Sequence, residues 1–329
     1  MNASNITSNR TKPSQPKMLV WYWSVRAVIA ILTVFGNGLV MVLVVKSRRL
    51  RVIPNVFIFA LALADFFVGA VITPTDFACG YWLPKSCDML TRRLIFDILI
   101  HLSVSNLCAL TFDRYMAVVQ PLKYQTVMTK GQVTCILVMT WIVAAILPVT
   151  GYICVMEKLT LAVKILRVID MVFLQIVPPL LLAIAYLRIV YIARRHEKTV
   201  RIQHSQLSFN YGHDRFLVKK RRSRKGESRE RASVKMIGAV IIAFLLCYVL
   251  AIFRSLYFYI MNKTIPETVT HVSRILLLTN SAINFLVYAF LKKDFRQELR
   301  RIYKQTRIFK ESFTFHDLLS KDSIVVNSH

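Results

Sequence analysis

The chain has 329 residues, 55% of them hydrophobic and only 19% charged, which is too apolar for an ordinary soluble protein of this length. Its formal net charge of +27 would suit a nucleic-acid partner, but Lys and Arg fall in the gaps between alternate apolar runs rather than across one aromatic-studded face. Nucleic acid is excluded as the partner, and basic gaps on one side of a bilayer mark the cytoplasmic side instead.

Residues 1–19 form a polar tail with glycosylation sequons at Asn2, Asn5 and Asn9, expected outside the cell. The apolar run Trp21 to Val45 is too long for a cleaved signal peptide. Seven spans are expected at 20–45, 54–80, 89–119, 131–153, 166–193, 233–260 and 270–291, so residues 20–291 form one membrane domain. Val133 to Val155 runs 23 residues without a charge, long enough to cross a hydrocarbon core of about 30 Å. These spans must be helical, because the bilayer core satisfies no free backbone group. The fold class is therefore an all-α seven-helix transmembrane bundle. Basic residues follow the first run, fill 194–232 and follow the last run, which puts those gaps inside. The 194–232 segment reads as a mobile basic third cytoplasmic loop. A fourth sequon, Asn262, lies in an outer loop. Residues 292–303 read as an amphipathic helix on the membrane surface, through Phe295, Leu299 and Ile302, and 304–329 as a cytoplasmic tail with several Ser and Thr. Such a basic inner face also favours contact with membrane lipid. No Gly-rich phosphate loop, nucleophile elbow or His/Cys metal spacing appears, so enzymatic activity is not expected.

Polar groups inside apolar helices are costly and mark function by default. In order they are Gly36 with Asn37, Asp65 closing Leu61 to Asp65, Asp113-Arg114-Tyr115 ahead of Pro121, Trp141 and Pro148, Pro178 with Tyr186, and Asn284 to Tyr288 followed by Phe295. Over residues 20–300 this succession resembles the rhodopsin-like (class A) G-protein-coupled receptors. The resemblance implies a multi-pass plasma-membrane receptor, amino terminus extracellular and carboxyl terminus cytoplasmic, that signals to a heterotrimeric G protein. Arrestin and receptor kinases are the further partners it implies. Arg114 would pair with Asp113 and Glu230 in the inactive form. Asp65, Ser103, Asn280 and Ser281 match positions that hold sodium, the one ion implied and a negative allosteric modulator; a water network around a neutral Asp65 is the alternative. Tyr186 and Tyr288 match tyrosines that approach each other on activation, and Tyr248 above Phe244 would serve as the aromatic toggle. A disulfide between Cys87 and Cys154 is expected, with Cys79 as a nearby competitor, because the cysteine has slid two residues from its usual place. Two hinges of the family are missing. Span six has Cys247-Tyr-Val-Leu250 without a proline, and span seven has Phe285 where proline is usual.

The ligand is the least legible feature. Alignment on Arg114 puts Phe96 where amine receptors carry an acid, with Asp97 one step away, roughly 100° around the helix. Asp170, Leu174, Ala251 and Ile252 fall where amine-binding serines and aromatics would be, and Leu278 replaces a retinal-linked lysine. Arg92, Arg93, Arg167, Arg254 and Arg274 crowd the outer half. Guanidinium forks suit carboxylate or phosphate, which slightly favours an anionic small molecule or lipid. Against this, such arginines also snorkel to water or pair with Asp76, Asp97 and Asp170. A peptide or amine receptor, or a ligand-independent partner modulating another receptor, are the alternatives.

Overall fold

The computed structural model describes residues 20–210, 235, 238–258, 260, 261, 263, 265–292 and 294–302. Seven helices are long and apolar enough to cross a membrane: Val20–Lys46, Ile53–Trp82, Met89–Val119, Lys130–Met156, Thr160–Arg195, Gly238–Phe258 and Glu267–Leu291, here spans one to seven. Span one shows why. Its buried residues, Tyr22, Arg26, Thr33, Gly36, Asn37, Val40 and Leu43, recur every three or four positions and so line one face. Phe35, 74% exposed, sits on the opposite face with Val28 and Ile31. In water that face would be a liability; in a bilayer it meets lipid. Polar residues turn inward and apolar ones line both sides.

Local chemistry sets the helix ends. Asp88 caps span three by accepting from the backbone N–H of Leu90 and Thr91, both at 3.0 Å, and these bonds together with the Thr91 hydroxyl hold its carboxyl below the usual range. Thr129 and Gln132 form a capping box at the start of span four. Spans two and five are not regular throughout: π-helical turns interrupt them at Val68–Ile72, Ala78–Trp82 and Met171–Ile176. Such turns re-aim a helix, and two of them lie just before Pro74 and Pro178.

Close approach replaces the missing span-seven hinge. The Phe285 ring lies over Gly36 so tightly that a Cβ there would overlap it. Gly69 of span two accepts span one in the same way, since a Cβ would come within 2.9 Å of Thr33. Span three packs on spans two, four and five, and span one on spans two and seven.

Several expectations change. The disulfide joins Cys79 to Cys87, Cα atoms 5.4 Å apart, and Cys154 is a free thiol. The expected Cys87–Cys154 bridge required Cys154 in an outer loop, whereas span four runs on to Met156 and keeps that residue inside the helix. The last turn of span two instead carries Cys79 toward Cys87. Span five begins at Thr160, earlier than expected, so only Glu157, Lys158 and Leu159 link it to span four. Its helix continues to Asn210, into the segment expected to be mobile, because no Gly or Pro follows Pro179 before Gly212. The surface helix covers 294–302, with Phe295 buried. Asn2, Asn5, Asn9, Asn262, Glu230 and the tail 304–329 lie outside the described residues.

Candidate functional site

Deep in the bundle, spans two, three and seven converge on Asp65, which is fully buried. The Ser103 hydroxyl donates to its Oδ1 at 2.6 Å and the Asn284 amide to its Oδ2 at 2.8 Å. The Asn37 amide donates to the carbonyls of Thr33 and Ser281, which ties span one to span seven. Among the described residues the Oδ1 atoms of Asn280 and Asn37 are buried without a hydrogen-bond partner, and Ser281 Oγ lies beside Asp65 without an aligned bond. Buried oxygens left so are costly. A carboxylate with hydroxyl and amide oxygens is the donor set that a small hard cation accepts.

Toward the other end of span three, Asp113 Oδ2 and Arg114 Nε lie 3.2 Å apart, an ion contact without an aligned hydrogen bond. Asp113 is instead held by the Tyr124 hydroxyl at 2.8 Å, and burial and this bond raise the tyrosine's pKa. Arg114 Nη2 is buried and unpartnered among the described residues. Arg188 of span five donates to the Tyr115 hydroxyl at 3.3 Å. Lys292, just past span seven, donates to Asn55 Oδ1 and sits 5.2 Å over the Phe295 ring. Burial, and then the Arg114 charge, draw its pKa down to about 7.

Between these two centres, Phe244 and Tyr248 stack with centroids 4.2 Å apart, and both are buried. The Tyr186 phenol lies against Gly238 of span six, so closely that a Cβ there would overlap it. Tyr288 turns its ring toward Phe295, 6.5 Å away, and its hydroxyl is buried without a partner among the described residues. The two tyrosines thus have different neighbours.

The outer half is organised by charge. Arg26, 1% exposed, binds Asp76 Oδ2 at 2.7 Å and the Tyr22 hydroxyl at 3.0 Å, while Arg92 takes the other oxygen of Asp76 at 3.1 Å. Arg93 pairs with Asp97 at 3.4 Å along span three, and His101 faces Asp170 of span five at 3.4 Å. Arg274 lies 6.0 Å over the Phe96 ring. A cavity of about 380 Å³ is lined by Arg93, Arg167, Asp170, Gln175, Arg254 and Ser255, and Ser255 donates to Gln175 at 2.7 Å. Arg167, Arg254 and Arg274 form no ion pair among the described residues.

Sequence reasoning passed over Arg26, His101, Asn55, Tyr124 and Lys292. A charge at position 26 and an imidazole at 101, both inside apolar runs, were the available signals. The other three carry none, because their roles arise where loops return to the bundle.

A family model described as 7 transmembrane receptor (rhodopsin family) matches residues 36–288. The chain is 27% identical over 309 residues to octopamine receptor beta-2R of Chilo suppressalis, which covers 83% of this chain and 76% of the relative. It is 28% identical to octopamine receptor beta-1R of Drosophila melanogaster, over 87% of this chain and 62% of the relative. Against alpha-2B adrenergic receptor of Equus caballus the identity is 38%, over 38% of this chain and 33% of the relative.

Proposed function

Because the chain belongs to the rhodopsin family of seven-transmembrane receptors, we propose that it binds an anionic small molecule or lipid in its outer half and drives nucleotide exchange on a heterotrimeric G protein from the Arg114 end. The observation that carries the ligand class is the outer cavity, where Arg93, Arg167 and Arg254 stand beside a single lining acid, Asp170, and neither Arg167 nor Arg254 forms an ion pair among the described residues. Phe96 stands where an amine receptor's acid would be, and neighbouring Asp97 is occupied by Arg93. A carboxylate or phosphate would satisfy these guanidinium groups through charge-assisted bonds.

Ligand binding shifts an existing equilibrium between two forms of the bundle. In the resting form Arg114 is held by Asp113 and, as the family pattern implies, by Glu230. Sodium at Asp65, Ser103, Asn280 and Ser281 stabilises that form, a role supported by the Asn280 oxygen left unpartnered among the described residues and by Ser281 beside Asp65. In the active form Arg114 meets the G protein, and Tyr248 over Phe244 relays the change in place of the absent proline hinge. Arrestin, receptor kinases and the plasma-membrane orientation with the amino terminus outside belong to the same reading.

A second-messenger screen of carboxylate and phosphate metabolites beside a panel of amines tests it. An acidic agonist whose potency falls roughly 10- to 100-fold in Arg254→Ala is expected, since one bond to a charged group is worth about 1.5–3 kcal/mol. The amine reading is favoured by the octopamine and adrenergic relatives. An amine agonist that depends on Asp97 or Asp170, and not on Arg254, would replace the anionic assignment.

A further inference from the structure

Spans four and five part company below their three-residue link. Span four packs on span five chiefly along Thr160–Asp170, beyond which the two helices diverge. Between them and span three opens a cavity of about 740 Å³, lined by Cys108, Phe112, Cys135, Met139, Phe173 and Pro178 among others. It is separate from the cavity that holds the arginines. Its rim faces the membrane: Phe112, Met139 and Phe173 are all exposed large apolar residues. A volume in the range of about 300–1,000 Å³ accommodates a ligand of ordinary small-molecule size. Water cannot fill an apolar gap of this kind cheaply, so its contents come from the bilayer.

Polarity along the gap fixes the orientation of the occupant. From Val143 down to Gln132 the span-four wall descends 11 residues, roughly 16 Å at 1.5 Å per residue, toward the Arg114 end of the bundle. The upper part is mainly apolar, its Thr140 hydroxyl being spent on the Ile136 carbonyl and Ser105 adding one more hydroxyl, whereas the lower end is marked by the exposed amide of Gln132. Lys130, the first residue of span four, precedes Gln132 by two residues, and Lys123 lies four residues before Val127, which lines the floor, on the helix Pro121–Val127. Both lysines are exposed and form no ion pair among the described residues.

We propose that this groove is a binding site for one anionic phospholipid of the leaflet at the Arg114 end, its acyl chain between spans three, four and five and its headgroup on Lys123 and Lys130. The chain fills a gap that helix packing leaves open, and the headgroup supplies the missing counter-charge. Held there, the lipid braces span four, which buries only Val133 and Ala144 against the rest of the protein.

Native mass spectrometry of the full-length detergent-purified protein tests this, with phosphatidylserine and phosphatidylcholine of identical chains as probes. One tightly held phosphatidylserine per receptor is expected, in clear preference to phosphatidylcholine. Cys135→Trp, which fills the groove from an exposed helix position, lowers its occupancy at least fivefold, a difference of about 1 kcal/mol. Val138→Trp, on the lipid-facing surface outside the groove, leaves it unchanged. Lys123→Ala with Lys130→Ala removes the preference for phosphatidylserine while retaining the Cys135→Trp effect. Should Cys135→Trp fail to fold, judged by thermal melting, Met139→Trp serves the same purpose. Equal retention of both lipids, or occupancy indifferent to groove filling, overturns the assignment and leaves only bulk bilayer contact.

Discussion

The inner and outer halves of the bundle handle polarity in opposite ways. Around Asp65 and Arg114, carboxylates, amides and hydroxyls are buried together: Ser103 and Asn284 of neighbouring spans bond Asp65, and Tyr124 of the helix Pro121–Val127 bonds Asp113, while Asn280 Oδ1 and Arg114 Nη2 stay unpartnered among the described residues. In the outer half the charges are only partly matched; Arg26, Arg92 and Arg93 find acids while Arg167, Arg254 and Arg274 form no ion pair among the described residues. Buried acids bonded from several elements limit which conformations are available, and a surplus of one sign is available to a ligand. The inner half is thus read as machinery shared with other members of the family, and the outer half as the part peculiar to this chain.

The largest test of that division is Arg114→Ala. G-protein nucleotide exchange should fall roughly tenfold or more, as loss of a charged hydrogen-bonding group implies, while agonist affinity measured without G protein changes little. A comparable loss of affinity would mean that the two halves are not separable. Next comes Gly36→Ala, which forces the Phe285 ring out of its seat. Overpacking of this kind costs about 1–3 kcal/mol, read as a lower melting temperature, and Phe285→Ala should restore much of it in the double variant. If Gly36→Ala is silent, span seven is not held by that contact. Asp65→Asn should fold normally yet abolish the difference in melting temperature between sodium and choline chloride. A sodium effect that survives would move the ion elsewhere.

A pH dependence is also expected. Lys292 titrates near 7 in the folded protein against 10.5 ordinarily, so between those values the unfolded chain holds a proton that the folded one does not. Stability therefore rises with pH across that window. Lys292→Met should flatten the rise in a melting-temperature series, and an unchanged slope would assign it to another group.

Much of this organisation was legible in the residues. Apolar length alone marks the spans, because hydrocarbon thickness leaves few other solutions. Asp65, Asn284 and Ser103 announce themselves as polar groups in such runs, and they do meet. The partner of Cys87 was not legible: it depends on how far span four extends and on the π-helical turn that ends span two, neither of which hydropathy records. Pairing among outer charges was half visible. Asp76 and Asp97 do take arginines, but Asp170 faces His101, an imidazole whose direction only the packed helices reveal. Phe285 read as a lost hinge; its seat on Gly36 emerges only when spans one and seven are set side by side.

The brevity of the Glu157–Leu159 connection has a mechanical result. Four Cα steps reach at most roughly 14 Å, too little slack for spans four and five to move independently at their upper ends. A displacement of span five at Arg167 would therefore be passed to the outer end of span four, as between two oars lashed at the handle.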